Sequence, residues 1–376
     1  MDSARMKLAD LPTPCLVLDR GILQRNLDAM ARAVARHDVA LRPHMKTAKS
    51  IDVAKLALNT PLARAQGITV STLAEAEYFA SHGILDQLYA VGITPQKLDQ
   101  VAKLNDAGAE VKIITDDADV AAAIAAHATP PRTLIEVDCG EARGGIDPES
   151  PALLDIAARL GPALAGIMTH AGHSYSGRSL ADMARIAEAE RLGGVRAAER
   201  LRAAGFQCDI VSMGSSPTAL YANSLDGITE VRAGVYMLGD LFQAEIGTHG
   251  HDDIAVTVLT SVIGKRPAER RILVDAGGLA LSKDRSTEAT PHDFGFGLVL
   301  DINGHRSLGT SLVKRANQEH GVIDLDPTID APSFHIGDKL RIAPNHVCMT
   351  AAAHDRYFVV DGSDDVIAMW PRVNGW

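Results

Sequence analysis

Residues 133–145 read Thr133-Leu134-Ile135-Glu136-Val137-Asp138-Cys139-Gly140-Glu141-Ala142-Arg143-Gly144-Gly145. The first five are a β-branched run too short for a helix; the next eight carry the glycine and charge of a loop. The same alternation recurs on both sides. Runs of strand character are Val39–Arg42, Gly67–Val70, Gln87–Ala90 and Glu110–Ile114 before it, and Ala165–Thr169, Cys208–Ser212 and Thr229–Arg232 after it. Amphipathic stretches such as Thr72–Phe79 and Ser179–Ala204 lie between them. Gly83, Gly108 and Gly205 stand where glycines just past a helix end belong. Eight strand–helix units predict an α/β fold, a (β/α)8 TIM-type barrel over residues 20–240. A doubly wound sheet is the competing architecture, but no GxGxxG follows the first strand.

Beyond residue 240 the texture changes. Ile254–Gly264 and Arg271–Asp275 are apolar, β-branched runs separated by Gly- and Pro-containing turns, and long helical patterns are absent. Residues 241–376, joined by 1–19 through Pro14–Leu18, are expected to form a mostly β domain. Across the 376 residues, 37 Lys and Arg stand against 47 Asp and Glu, a net charge of −10. Phosphate backbones and anionic lipid need clustered cations, so neither a nucleic-acid nor a membrane-surface partner is expected. Hydrophobic residues, 46% of the chain, suffice for a large core. No apolar run reaches the ~20 residues of a membrane span. Met1–Met6 leads into no apolar signal region, so the expected compartment is the cytoplasm. Cys15, Cys139, Cys208 and Cys348 stand more than 60 residues apart, a spacing of reduced thiols rather than of a disulfide framework.

A barrel collects its chemistry on the loops that follow its strands. Arg42-Pro43-His44-Met45-Lys46-Thr47 follows the first strand, His170-Ala171-Gly172-His173-Ser174-Tyr175 the sixth, and Met213-Gly214-Ser215-Ser216 the seventh. A lysine held near Arg42 and His44 has its pKa lowered and suits Schiff-base chemistry; the plainer reading of Lys46 is a solvated surface residue. Gly214-Ser215-Ser216 occupies the place where barrels bind phosphate, or is an ordinary turn. His170 and His173 are candidates for a base or a metal ligand, or for one ring that orients a loop and one that packs on the rim. The Asp116-Asp117 and Asp252-Asp253 pairs are read as solvated turns or helix caps. In the β domain, His346-Val347-Cys348 reads as extended, so His346 and Cys348 point to one face. Imidazole plus thiolate fits Zn²⁺ best and leaves positions open for substrate; a core histidine beside a buried cysteine is the alternative.

Together, Leu11-Pro12-Thr13-Pro14, the Arg42–Thr47 element, the Asp138–Gly145 loop and Pro344-Asn345-His346-Val347-Cys348 resemble a known pattern. It is that of the metal-activated fold-type III pyridoxal-phosphate enzymes, the D-serine dehydratase and D-threonine aldolase family, related in fold to alanine racemase. The resemblance runs from Leu11 to the Trp370–Trp376 end. It implies that Lys46 carries pyridoxal 5'-phosphate, that Gly214, Ser215 and Ser216 hold its phosphate, and that Arg143, Tyr175 and Tyr236 lie around it. It also implies that His346 and Cys348 bind a divalent metal. Zn²⁺ is favoured by the thiolate, with Mn²⁺ and Co²⁺ as alternatives.

The implied reaction is dehydration of a β-hydroxy D-amino acid to a 2-oxo acid and ammonia. Lys46 takes the Cα proton and the metal assists departure of the hydroxyl. Members similar to D-threonine aldolases carry H-x-D where this chain has H-x-C, which favours dehydration over aldol cleavage. In the aldolase alternative, His170 or His173 deprotonates the β-hydroxyl, giving glycine and an aldehyde. A racemase or a non-catalytic pyridoxal-phosphate carrier leaves the His346/Cys348 pair without a role. The expected partners are a small D-amino acid and a second copy of the chain as a homodimer.

Overall fold

The computed structural model describes residues 6–62, 64, 65, 67–330 and 333–376; Met1–Arg5, read above for a signal, lies outside them. The chain forms two compact units. One comprises Leu27–Gly234 with Val373–Trp376, the other the described residues up to Asn26 with Val235–Arg372. Among the described residues, no helix is long and apolar enough to cross a membrane.

Strand β1, Cys15–Asp19, comes first, followed by the helix Arg20–Ala35. The first unit then contributes β2 (Ala40–Pro43), β3 (Ile68–Val70), β4 (Asp86–Gly92), β5 (Glu110–Thr115), β6 (Thr133–Val137), β7 (Leu164–Thr169), β8 (Ile210–Met213) and β9 (Glu230–Ala233). All eight are parallel, in the order β2-β9-β8-β7-β6-β5-β4-β3. Isolated parallel bridges, Leu41 to Ala65 and His44 to Thr69, bring β2 to the β3 side and nearly close the ring. This is the barrel expected from the alternation. Helices Leu73–Ser81, Leu98–Asp106 and Leu180–Ala203 are followed by Gly83, Gly108 and Gly205, each with the left-handed backbone that a glycine adopts without strain.

The barrel interior carries charge. Arg42 Nε donates to Glu230 Oε2 at 2.8 Å, and its two Nη atoms reach Asp86 at 3.0 and 3.2 Å. Lys112 Nζ meets the same Asp86 at 2.7 Å. Ser212 Oγ donates to Glu230 Oε1, and Arg232 reaches Ser212 Oγ and the Thr169 carbonyl. Buried ions demand partners, and this network supplies them across six strands. It also corrects one expectation: the Arg42 charge is consumed inside the barrel, because its side chain points inward from β2.

The second unit adds β10 (Val256–Arg266), β11 (Arg271–Val274), β12 (Leu298–Leu300), β13 (Leu312–Ala316), β14 (Gly321–Asp324), β15 (Lys339–Ala343), β16 (Arg356–Val360) and β17 (Ala368–Pro371). The sheet order is β11-β14-β13-β12-β15-β10-β1-β16-β17, and a β10–β11 pairing closes six of the strands into a ring. β1 lies antiparallel to β10 and parallel to β16. Val17 of β1 packs with Leu259, Phe358 and Val360, each burial worth roughly 1.5–3 kcal/mol.

Candidate functional site

At the barrel rim, His44 N–H donates to the Ala233 carbonyl at 2.7 Å and Met45 N–H to Thr69 at 2.8 Å. The turn after β2 is thus stitched to the strands on both sides. It presents Lys46, exposed between buried Met45 and Thr47. His44 and His170 are both held uncharged. Burial drives the His44 pKa well below its ordinary value, and the positive charges of Lys46 and Arg232 press it further. Burial takes His170 down to about 3, against the help of its Gly214 bond and with Lys46, Arg232 and Arg143 adding to the shift. His170 Nδ1–H donates to the Gly214 carbonyl at 2.9 Å, which fixes its tautomer and ties the loop after β7 to the loop after β8.

Gly214 has φ +136°, and a Cβ there would stand 2.3 Å from the Arg232 carbonyl oxygen, so only glycine fits. Its N–H donates to Glu190 Oε1 at 2.9 Å. The Ser215 hydroxyl caps the helix Ser216–Tyr221, accepting from Thr218 N–H, and lies 2.8 Å from the Ser174 hydroxyl. Ser216 N–H donates to the Tyr175 hydroxyl at 3.4 Å. Arg143 pairs with Glu141 at 3.3 Å on a loop that Asp138 Oδ1 braces through three N–H groups and Asp116 through Gly145 N–H. His173 packs against Gly140 instead, its Nδ1 buried without a partner among the described residues. The structure therefore brings His170 into the field of Lys46 and Arg143, and sets His173 beside the Asp138–Gly145 loop. The Asp117 carboxylate caps the helix Ala118–Ala126, and Asp253 closes a turn on Gly250 N–H, as read.

Tyr236 belongs to the second unit, buried in a 3₁₀ turn, where burial raises its phenol pKa. In that unit the sequence reading of His346-Val347-Cys348 as extended needs correction. His346 is extended, but Val347–Ala351 is a short helix and Cys348 lies in its first turn. The cause is Asp240, fully buried, whose Oδ2 accepts the Val347 N–H at 2.9 Å while Oδ1 caps the helix Leu241–Glu245. The two side chains still meet: the Cys348 sulfur is a hydrogen-bond partner of the imidazole.

Asp284 Oδ2 accepts His346 Nδ1–H at 2.8 Å, and Ser286 Oγ donates to the other carboxylate oxygen at 2.6 Å. Burial lowers the His346 pKa, but Asp284 and Cys348 outweigh it and hold the imidazole at about 11, with Asp284 brought to about 2. Below, Asn345 bonds Thr287 twice and the Gly295 carbonyl, fixing the 284–296 loop. Asp284 and Asp240 escaped the sequence reading, as did Arg232 and Glu190. Glu190 alone left a signal: a glutamate on the apolar face of its helix, in step with Met183, Ile186 and Ala187.

Cys15, Cys139 and Cys208 are free thiols, and burial raises the pKa of each, so they stay protonated. Among the described residues, no group of three or more His, Cys, Asp or Glu is arranged to hold a metal.

The alanine racemase N-terminal domain family matches residues 18–241 and the putative serine dehydratase domain matches 255–360. The chain belongs to this family of fold-type III pyridoxal-phosphate enzymes. Within it, the chain is 42% identical to the D-threo-3-hydroxyaspartate dehydratase of Delftia sp. (strain HT23), covering 98% of this chain and 99% of that protein. The solved structure of the Delftia enzyme superposes with a TM-score of 0.93, at 41% identity over 98% of this chain and 100% of that one. A D-serine dehydratase of Dictyostelium discoideum is 29% identical, over 98% of each chain. A D-threonine aldolase from Filomicrobium marinum superposes with a TM-score of 0.81, at 25% identity over 98% of this chain and 96% of that one.

The residues present fit both groups that the family implies. At the rim, a primary amine stands exposed where Arg143 and Arg232 concentrate positive charge, a setting for an anionic aldehyde cofactor. In the β unit, a carboxylate on Nδ1 leaves Nε2 as the donor atom of His346, the usual second-layer support of a metal-binding imidazole.

Proposed function

We propose that the protein eliminates water and then ammonia from β-hydroxy D-amino acids, D-threo-3-hydroxyaspartate foremost, to give a 2-oxo acid. The observation that carries the reading is the 42% identity to a dehydratase of that substrate across nearly the whole of both chains. Bound pyridoxal phosphate supplies the electron sink for cleavage of the Cα–H bond, and a divalent ion, Zn²⁺ by the thiolate argument, supplies the Lewis acid for the leaving hydroxyl. Lys46 would hold the cofactor through its Nζ and, in its neutral form, would take the Cα proton. The 214–216 turn holds the phosphate, with Tyr175 beside it and Arg143 and Tyr236 as further polar neighbours of the cofactor. His170 is a positioning residue: its Nδ1–H locks the Gly214 carbonyl and its uncharged ring adds no cation beside Lys46. His346 and Cys348 would hold the metal, and Asp284 keeps the His346 tautomer. The released enamine tautomerises and takes up water, so the net change is substrate to 2-oxo acid plus ammonia. The working unit in this reading is a cytoplasmic homodimer.

The test is product analysis with D-threo-3-hydroxyaspartate, D-serine and D-threonine, with and without chelator. Oxaloacetate or pyruvate with ammonia, abolished by the chelator, is the expected result. Glycine with an aldehyde replaces the dehydratase by the aldolase and returns His170 and His173 to the role of base. Cys348→Asp probes the same choice: unchanged metal affinity and product ratio would remove the thiolate argument.

A further inference from the structure

The second unit contains a cavity of about 480 Å³, within the ~300–1,000 Å³ range of small-molecule sites. Its wall includes Arg341 from β15, 4% exposed. Arg341 Nε donates to Thr257 Oγ1 at 2.7 Å, and among the described residues neither Nη atom has an acceptor. The guanidinium carries five donors, and burial with so few of them satisfied is costly; burial lowers its pKa to about 10. The lining also holds His251, whose Nδ1 is buried without a partner among the described residues, and two exposed arginines, Arg25 and Arg306.

The carboxylates near this wall are mostly engaged. Asp19 accepts from Ile22 and Gly362 N–H, Asp361 from Arg20, and Asp301 from Asn303 N–H, His305 N–H and Ser307 Oγ. Asp252, whose charge acts on His251, is the remaining lining acid. The cations are thus in surplus as donors, one on the wall and two exposed.

We propose that this cavity is a second ligand site, which takes a small dicarboxylate with one carboxylate forked on Arg341 and the other met by Arg25 and Arg306. A planar guanidinium with both Nη atoms unclaimed matches a carboxylate bidentately. The proposal uses residues of the β unit alone and does not rest on the proposed activity.

Succinate titrated into the holoenzyme by calorimetry tests it. The expected result is one succinate per chain, retained in Lys46→Ala, weakened about tenfold or more in Arg341→Gln and severalfold in Arg306→Ala. Arg306 is exposed, so its variant decides the matter if Arg341→Gln does not fold. No binding at millimolar succinate, binding lost in Lys46→Ala, or binding unchanged in Arg306→Ala would each overturn the proposal.

Discussion

His170 and His346 each donate Nδ1–H to an oxygen, at 2.9 Å to the Gly214 carbonyl and at 2.8 Å to Asp284 Oδ2. Geometry hardly separates them, yet burial leaves one imidazole near pKa 3 while the other stands near 11. The difference lies in the partner. A carbonyl is a neutral acceptor, so desolvation and the cations Lys46, Arg232 and Arg143 decide the charge of His170. A carboxylate and a sulfur oppose desolvation at His346 and prevail. The barrel rim is thus built to keep its rings uncharged beside an amine, and the β unit to raise the basicity of its ring.

The largest effect expected is at the rim: Lys46→Ala should lower turnover at least ~10³-fold and remove an absorbance band near ~420 nm from the loaded enzyme. A wild-type protein without that band would refute the rim assignment. Next, chelation should lower activity about 10²-fold or more, with Zn²⁺ restoring the wild type but not His346→Ala. Recovery in His346→Ala would place the metal elsewhere.

Asp284→Asn strikes the comparison itself, because it replaces the carboxylate on Nδ1 by a neutral acceptor like that of His170. Metal affinity, measured by competition with a chromophoric chelator, should fall about 10–100-fold. An unaltered affinity would show that the carboxylate does not tune the ligand.

The smallest effect is on stability. The folded His170 pKa of about 3 lies below the ordinary 6.5, so the unfolded chain gains a proton first as the pH falls. The stabilisation is complete above 6.5 and is lost as the pH falls toward 3. Thermal melts of cofactor-free protein should therefore drop below pH 6.5, and less steeply in His170→Gln. Parallel slopes would contradict the assignment.

The two regions were unequally legible in the sequence. A parallel barrel delivers each functional loop directly after its strand, so Lys46, His170 and Gly214 announced themselves by position; Thr133–Val137 was readable to the residue. β8 begins at Ile210, two residues beyond the start of its apolar run, where Arg202 Nη2 takes the Cys208 carbonyl. The His346/Cys348 pair was visible as a spacing, but its local shape was not, because the acid that turns Val347 into a helix lies 107 residues upstream. Asp284 is likewise 62 residues from His346, and antiparallel topology leaves no local mark of such a pairing. Arg232 was hidden for another reason: a charge inside a parallel strand becomes meaningful only once the acids that act on it, Glu230, Glu190 and Glu136, are brought near it by the fold.

β1 bears on biosynthesis. Its five residues, Cys15–Asp19, are buried throughout, yet they pair with Val256–Leu259 and with Tyr357–Val360. The second partner follows about 340 residues later, a delay of roughly 20–70 s at ordinary elongation rates. Until Val256–Leu259 is made the nascent chain carries an apolar strand with neither neighbour, and until Tyr357–Val360 is made one edge stays open, a standing invitation to a holdase or to a wrong edge. Joining β1 to the chain after β17 by circular permutation would remove the wait, and the yield of soluble protein would measure what the wait costs the cell.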